Sequence, residues 1–223
     1  MIFHILTIFP ELFKPYIDES VLGRGVVGKK IKIKTYDLRK FTKDKHNKVD
    51  DKPYGGGPGM VFKIEPITKA LTKILKGKAK KDTLVLLMSA GGKQFNAKDA
   101  KNMASTYKDI VILAGRYEGF DERTKQIVSK GLGFKVQELS IGPYILTGGE
   151  LPALILVDAI SRHIGGVLGK KESLEENRYG PGLPSYTRPE EFEFKGKKYK
   201  VPKVLVSGDH DGIDKWRRKK TTN

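Results

Sequence analysis

The stretch Thr83-Leu-Val-Leu-Leu-Met-Ser89 holds seven uncharged, mostly aliphatic residues, and Ile110-Val-Ile-Leu-Ala114 repeats the pattern. Continuous apolar runs of this length suit strands of a parallel sheet covered on both faces. The spacing between them predicts a helix over Ala97–Ser105. Upstream, Ile2–Phe9 reads as a third buried strand, and Pro10 opens a helix over Glu11–Val21. Lys30–Tyr36 alternates lysine with apolar residues, as a half-buried strand does. A polar, glycine-rich loop over Phe41–Met60 leads to a helix at Glu65–Leu75. Downstream come a helix at Asp121–Val128, a strand at Phe134–Leu139 and a helix at Leu151–His163. Strands alternating with helices predict an α/β domain over residues 1–164. Residues 165–188 read as an interdomain linker, and 189–223 as a small, mostly helical C-terminal domain. That domain has a hairpin candidate turning at Gly196 and a helix over Gly212–Lys220 capped by Asp211.

The 223 residues carry 43 Lys plus Arg against 26 Asp plus Glu, a formal charge of +17. That excess points to a polyanion partner. It is uneven: residues 1–80 carry +10, residues 81–164 only +2, and residues 165–223 carry +5. There is no cysteine. Disulfides, thiolate zinc sites and thiol catalysis are therefore excluded, which fits a reducing compartment. The opening MIFHILTIFP lacks a basic segment before its short apolar run, unlike a secretory signal. The longest apolar run, Leu151–Val157, is too short to span a membrane. The expectation is a soluble, cytoplasmic, non-membrane protein.

Gly23-Arg24-Gly25-Val26-Val27-Gly28 fits the dinucleotide-binding spacing, but it follows a predicted helix and precedes a strand. A dinucleotide site needs the opposite order, so this motif is set aside. Four other loops look overbuilt for simple turns: Asp50–Met60, Ser89–Lys93, Gly115–Arg123 and Ser140–Pro152. Three of them directly follow predicted parallel strands, where ligands bind in open α/β sheets. They are dense in Gly with Tyr, Glu and Ser, and suit a neutral or zwitterionic ligand such as an adenine-bearing cofactor held by backbone groups. On the last apolar helix Glu150, Asp158 and Arg162 share one stripe, which forms an internal ion pair or faces a site. His4, His46, His163 and His210 show no metal-ligand spacing, and no protein metal site is expected. Trp216 reads first as an anchor for its helix, with RNA stacking as the other reading.

Taken together, the motifs resemble the bacterial tRNA (guanine-N(1)-)-methyltransferases of the TrmD family, in the SPOUT superfamily. The residues that carry the resemblance are Ile8–Pro10, Asp44–His46, DDKPYGGGPGM from Asp50, GRYEGFDER from Gly115, SIGPYILTGGELPA from Ser140, GVLGK from Gly166, YTRP at Tyr186–Pro189 and SGDHDGIDKWRRKK from Ser207. The resemblance covers essentially the whole chain. It implies a knotted parallel-sheet domain with a deep trefoil knot, and a homodimer with active sites at the subunit interface. It also implies tRNA as partner and S-adenosyl-L-methionine as cofactor, with Mg2+ as a further candidate. The implied cofactor residues are Met88, Ser89, Ala90, Gly115, Tyr117, Glu118, Gly119, Ile141, Gly142, Pro143, Tyr144, Ile145, Leu146, Gly148 and Gly149. The implied substrate residues are Asp50, Tyr54 and Gly59.

The implied reaction is methyl transfer to N1 of the guanosine 3′-adjacent to the anticodon. Arg162 matches the family's catalytic arginine, which stabilises charge on the base. Asn177 stands where the family has its catalytic aspartate. An amide cannot act as a carboxylate base. Either one of the nearby acids Glu172, Glu175 and Glu176 takes that role, or Asn177 only orients the base while a water or metal-bound hydroxide removes the proton. The alternatives are a catalytically weakened homologue that binds cofactor and tRNA, and a methyltransferase of the same fold acting on another RNA.

Overall fold

A computed structural model describes residues 1–116, 118–169, 174, 179, 182 and 183–221. Tyr117, Glu176 and Asn177 lie outside the described residues. The chain divides into two compact units, Met1–Gly169 and Lys170–Asn223.

The first unit is an α/β layer structure. Its sheet has five parallel strands: β1 (Ile2–Thr7), β2 (Lys32–Asp37), β5 (Thr83–Gln94), β6 (Asp109–Leu113) and β7 (Lys135–Ser140). They lie in the order β2-β1-β6-β5-β7. A short antiparallel ladder, β3 (Asp50–Asp51) with β4 (Val61–Phe62), stands apart from it. The apolar run at Thr83 is the centre of the design. Leu84, Leu86 and Met88 enter one apolar layer, with Ala153, Leu156, Val157 and Ile160 of a helix at Glu150–Ser161. Val85 and Leu87 enter the opposite layer, with Ile67, Leu71 and Ile74 of a helix at Ile64–Leu75. A strand covered twice has no polar side to show, hence its unbroken hydrophobicity.

The predicted helix at Glu11–Val21 is corrected. The chain makes a 3-10 turn at Pro10–Leu12 and one helical turn at Lys14–Ile17, then a separate helix at Ser20–Val27. Pro15 lacks the N–H that a continuous helix needs, and Ser20 has φ of +55°. Gly23 and Gly25 therefore lie inside a helix rather than after one. Gly25 packs where a Cβ would stand 3.3 Å from Ile31, so close packing explains the pattern that mimicked a dinucleotide motif. His4 is buried in β1, with Nδ1 2.9 Å from the Tyr36 hydroxyl and Nε2 2.8 Å from Asp109, in keeping with a structural role.

In the second unit, strands Glu191–Phe194 and Lys197–Lys200 form a hairpin. Lys195 and Gly196 both have positive φ, as a tight hairpin turn requires. Helices Lys203–Val206 and His210–Thr221 follow. The cap of the last helix is Asp209, whose carboxylate accepts the Gly212 N–H at 3.1 Å, not Asp211, which lies in the first turn.

Candidate active site

Strands β6, β5 and β7 are adjacent, and their three following loops meet at one edge of the sheet. After Met88 the chain leaves the ladder and rejoins at Lys93, both residues standing opposite Leu139. Residues 89–92 thus bulge from the sheet edge. Gly92 closes the bulge, where a Cβ would stand 2.7 Å from the Leu139 backbone nitrogen. The loops after β6 and β7 cross just as closely. The Gly149 N–H donates to the Gly115 carbonyl at 2.6 Å, and a Cβ on Gly149 would stand 2.6 Å from the Gly115 nitrogen. No larger residue fits that crossing without moving backbone.

The three loops enclose a cavity of about 450 Å³. Met88, Ser89, Ala90, Gly115, Glu118, Gly119, Ile141, Tyr144, Ile145, Leu146, Gly148 and Gly149 line it, so the structure brings together most of the expected cofactor set. Gly142 and Pro143 are off the wall. Gly142 is held in a local turn, where its N–H donates to Ser140 Oγ at 3.3 Å and its carbonyl accepts from that hydroxyl at 2.8 Å. Pro143 is exposed.

Sequence reasoning missed the charged part of the wall. Arg116, Asp121, Glu122, Lys125 and Glu138 also line the cavity, and with Glu118 they make four carboxylates against two cations. Lys125 pairs with Glu122 and, at 3.1 Å, with Glu138, and these bonds raise its pKa. The Arg123 hydrogen bonds hold the Asp121 carboxyl below its ordinary range. The wall is net acidic in a protein of charge +17. It suits a neutral or cationic ligand and repels a phosphate. Alternation along β7 puts Glu138 two residues before Ser140 on the same face, a signal that could have been read from the strand.

Asp50, Tyr54 and Gly59 do not line the cavity. Asp50 pairs with Phe62 in the small ladder, and Tyr54 is fully exposed. The base of their loop is nevertheless pinned to the β6 loop. Glu118 N–H donates to Met60 O and Phe62 N–H to Gly119 O, each at 3.0 Å. Gly59, at φ +88°, sits against the Glu118 side chain. Arg162 caps the C-terminal end of its helix, half-buried and also off the wall. Asp158, its i−4 neighbour, accepts a 2.6 Å hydrogen bond from Tyr16, which raises the Tyr16 pKa.

A family model described as tRNA (Guanine-1)-methyltransferase TrmD matches residues 1–223. The chain belongs to this family. Curated relatives named tRNA (guanine-N(1)-)-methyltransferase agree. The one from Dictyoglomus turgidum is 46% identical over 96% of this chain and 82% of its own length. That from Clostridioides difficile is 45% identical over 99% and 92%, and that from Mycoplasmopsis pulmonis 44% over 97% and 89%. The TrmD resemblance drawn from the motifs is thereby established. Among the described residues no helix is long and apolar enough to cross a membrane. Nor, among the described residues, do three or more His, Asp or Glu side chains group to hold a metal ion.

Proposed function

We propose that this chain transfers the methyl group of S-adenosyl-L-methionine to N1 of the guanosine 3′-adjacent to the anticodon of tRNA. The observation that carries the reading is the cavity built by three post-strand loops in a chain of the TrmD family. The cavity fits the donor. Its volume is within the usual range for small-molecule sites, its wall is rich in glycine backbone, and its acidic balance favours a sulfonium cation. S-adenosyl-L-methionine, when bound, supplies an electrophilic methyl group.

The chain must supply the rest. Guanine N1 carries a proton and is a poor nucleophile until it leaves. Glu176 is proposed to accept that proton, with Asn177 orienting it through amide hydrogen bonds. Arg162 is proposed to stabilise the negative charge that grows on the exocyclic oxygen. A homodimer belongs to the same reading, since Arg162 does not line the cavity of its own chain. Leu12, Tyr16, Leu151 and Ile155 support it as exposed apolar residues, with Tyr16 bonded to Asp158 of the helix that carries Leu151 and Ile155. The deep trefoil knot is proposed at the crossing of Gly115 and Gly149, residues 189–223 as a tRNA-contacting domain after the 165–188 linker, and the cytoplasm as the compartment.

Transfer of radiolabelled methyl from S-adenosyl-L-methionine to a tRNA transcript tests this reading. Label is expected on a transcript with G after the anticodon and is lost when that G is replaced by A. No label at stoichiometric enzyme overturns it. Silence of Glu176→Gln alongside a defect in Glu175→Gln moves the base to the neighbouring position.

A further inference from the structure

Glu150 is the only buried acid among the described residues, and the reaction proposed above gives it no task. Both its oxygens are engaged. Thr7 Oγ1 donates to Oε1 at 2.9 Å, and Arg116 Nε donates to Oε2 at 3.1 Å. The Thr7 hydroxyl also accepts the Phe9 N–H at 2.9 Å, so the carboxylate is tied to the end of β1. Arg116 is gripped from its other side, its Cζ 4.4 Å from the centre of the Phe9 ring. A Cβ on Gly148 would stand 2.5 Å from Glu150 Oε2 and 2.9 Å from Arg116 Nε. The pair therefore lies directly across the glycine that precedes the Gly115–Gly149 crossing.

We propose that Glu150 is a positioning residue for the donor cavity. It fixes the Arg116 guanidinium in the wall and holds the two glycine loops at their crossing. The proposal rests on the reading of that cavity as the S-adenosyl-L-methionine site. Gly148 sits against this ion pair, and its two members directly follow Gly115 and Gly149 in the chain, so the pair brackets the crossing of these wall glycines, outside both apolar layers. A charged hydrogen bond is about twice as strong as a neutral one. Glu150→Gln keeps the shape and removes the charge. It loosens the wall while leaving the core layers in place.

The test is calorimetric titration of S-adenosyl-L-methionine into the full chain, with kinetics at saturating tRNA. Glu150→Gln is expected to raise the donor Kd and KM about tenfold and to leave kcat within about twofold. Thr7→Val, which removes only the hydroxyl, should weaken the donor in the same sense, and Thr7→Ser should restore it. Glu150→Gln combined with Arg116→Gln should bind no more weakly than the worse single variant, because the two act as one unit. Unchanged donor affinity in Glu150→Gln, a loss confined to kcat, or additive losses in the double variant would each overturn the proposal. A wild-type chain that fails to bind S-adenosyl-L-methionine would instead overturn the reading of the cavity.

Discussion

The two units are built on opposite terms. Met1–Gly169 buries two apolar layers against one sheet, and many of their side chains are wholly inaccessible. In the second unit no described residue is buried, and Phe192, Phe194 and Tyr199 of its hairpin are all more than half exposed. That unit is tied by polar links: Glu191 with Lys198 and Lys200, and Asp214 with Arg218 and Tyr179. Exposed pairs of this kind contribute little each. The difference suggests a division of labour. The cavity proposed for the donor is a fixture of a close-packed unit. The second unit keeps charge and aromatic surface available for another molecule, which the proposed function identifies as tRNA.

Separating the two binding events is the sharpest way to break that division. Arg162→Ala should lower kcat by about 100-fold or more, typical of lost charge stabilisation, while donor affinity stays the same. A weakened donor Kd would place Arg162 in the donor site instead. Gly149→Ala acts on the other side of the division. Overpacking the Gly115 crossing should cost about 2 kcal/mol, or roughly thirtyfold in donor affinity by calorimetry, with tRNA retention on filters unaffected. Salt comes next. Doubling its concentration should weaken tRNA binding roughly tenfold if about four phosphates are neutralised, and leave donor binding flat. A flat tRNA response would mean that the lysines are surface composition only.

Much of the first unit was legible because its strands need two apolar faces. The runs at Thr83 and Ile110 could be placed from composition alone, and they put two of the four glycine-rich loops at strand ends, the strand predicted at Phe134–Leu139 adding the third. The cavity followed from those loops. Its charged wall did not, because Lys125, Glu122 and Glu138 become neighbours only when a helical turn meets a strand end. The break in the Glu11–Val21 helix was hidden because Pro10 marks a helix start, while Pro15, which lacks the N–H a continuous helix needs, opens a second short turn. Asp209 was missed as a cap because the helix, which starts at His210, was placed two residues later, directly after Asp211. Glu150 was seen as one of a charged stripe, but its true partners, Thr7 and Arg116, are 143 and 34 residues away. Contacts of that range carry no periodic signal.

The smallest effect concerns acid stability, and it too should differ between the units. Burial holds the His4 pKa below its usual 6.5, helped by the Lys78 and Lys34 charges and opposed by Asp109. As pH falls below about 6.5 the unfolded chain takes up a proton that folded His4 refuses, so the first unit loses stability. For Asp109, burial pushes the pKa up, but the Lys78 and His4 hydrogen bonds outweigh it and the net shift is downward from 3.8. Its contribution is present above 3.8 and is lost as pH falls through the lower folded value. Tyr36, the remaining titratable neighbour of His4, stays protonated in this range, its pKa raised by burial and by Asp109. In the second unit Asp214 is held low by Arg218 and Tyr179, so it too responds only in the acid range. Between about pH 6.5 and 4, then, the transition of the first unit should move in scanning calorimetry and that of the second should not. His4→Gln, which removes the titrating ring, should flatten this upper step and leave the lower one. Matching pH profiles for His4→Gln and the parent chain would assign the upper step to another group.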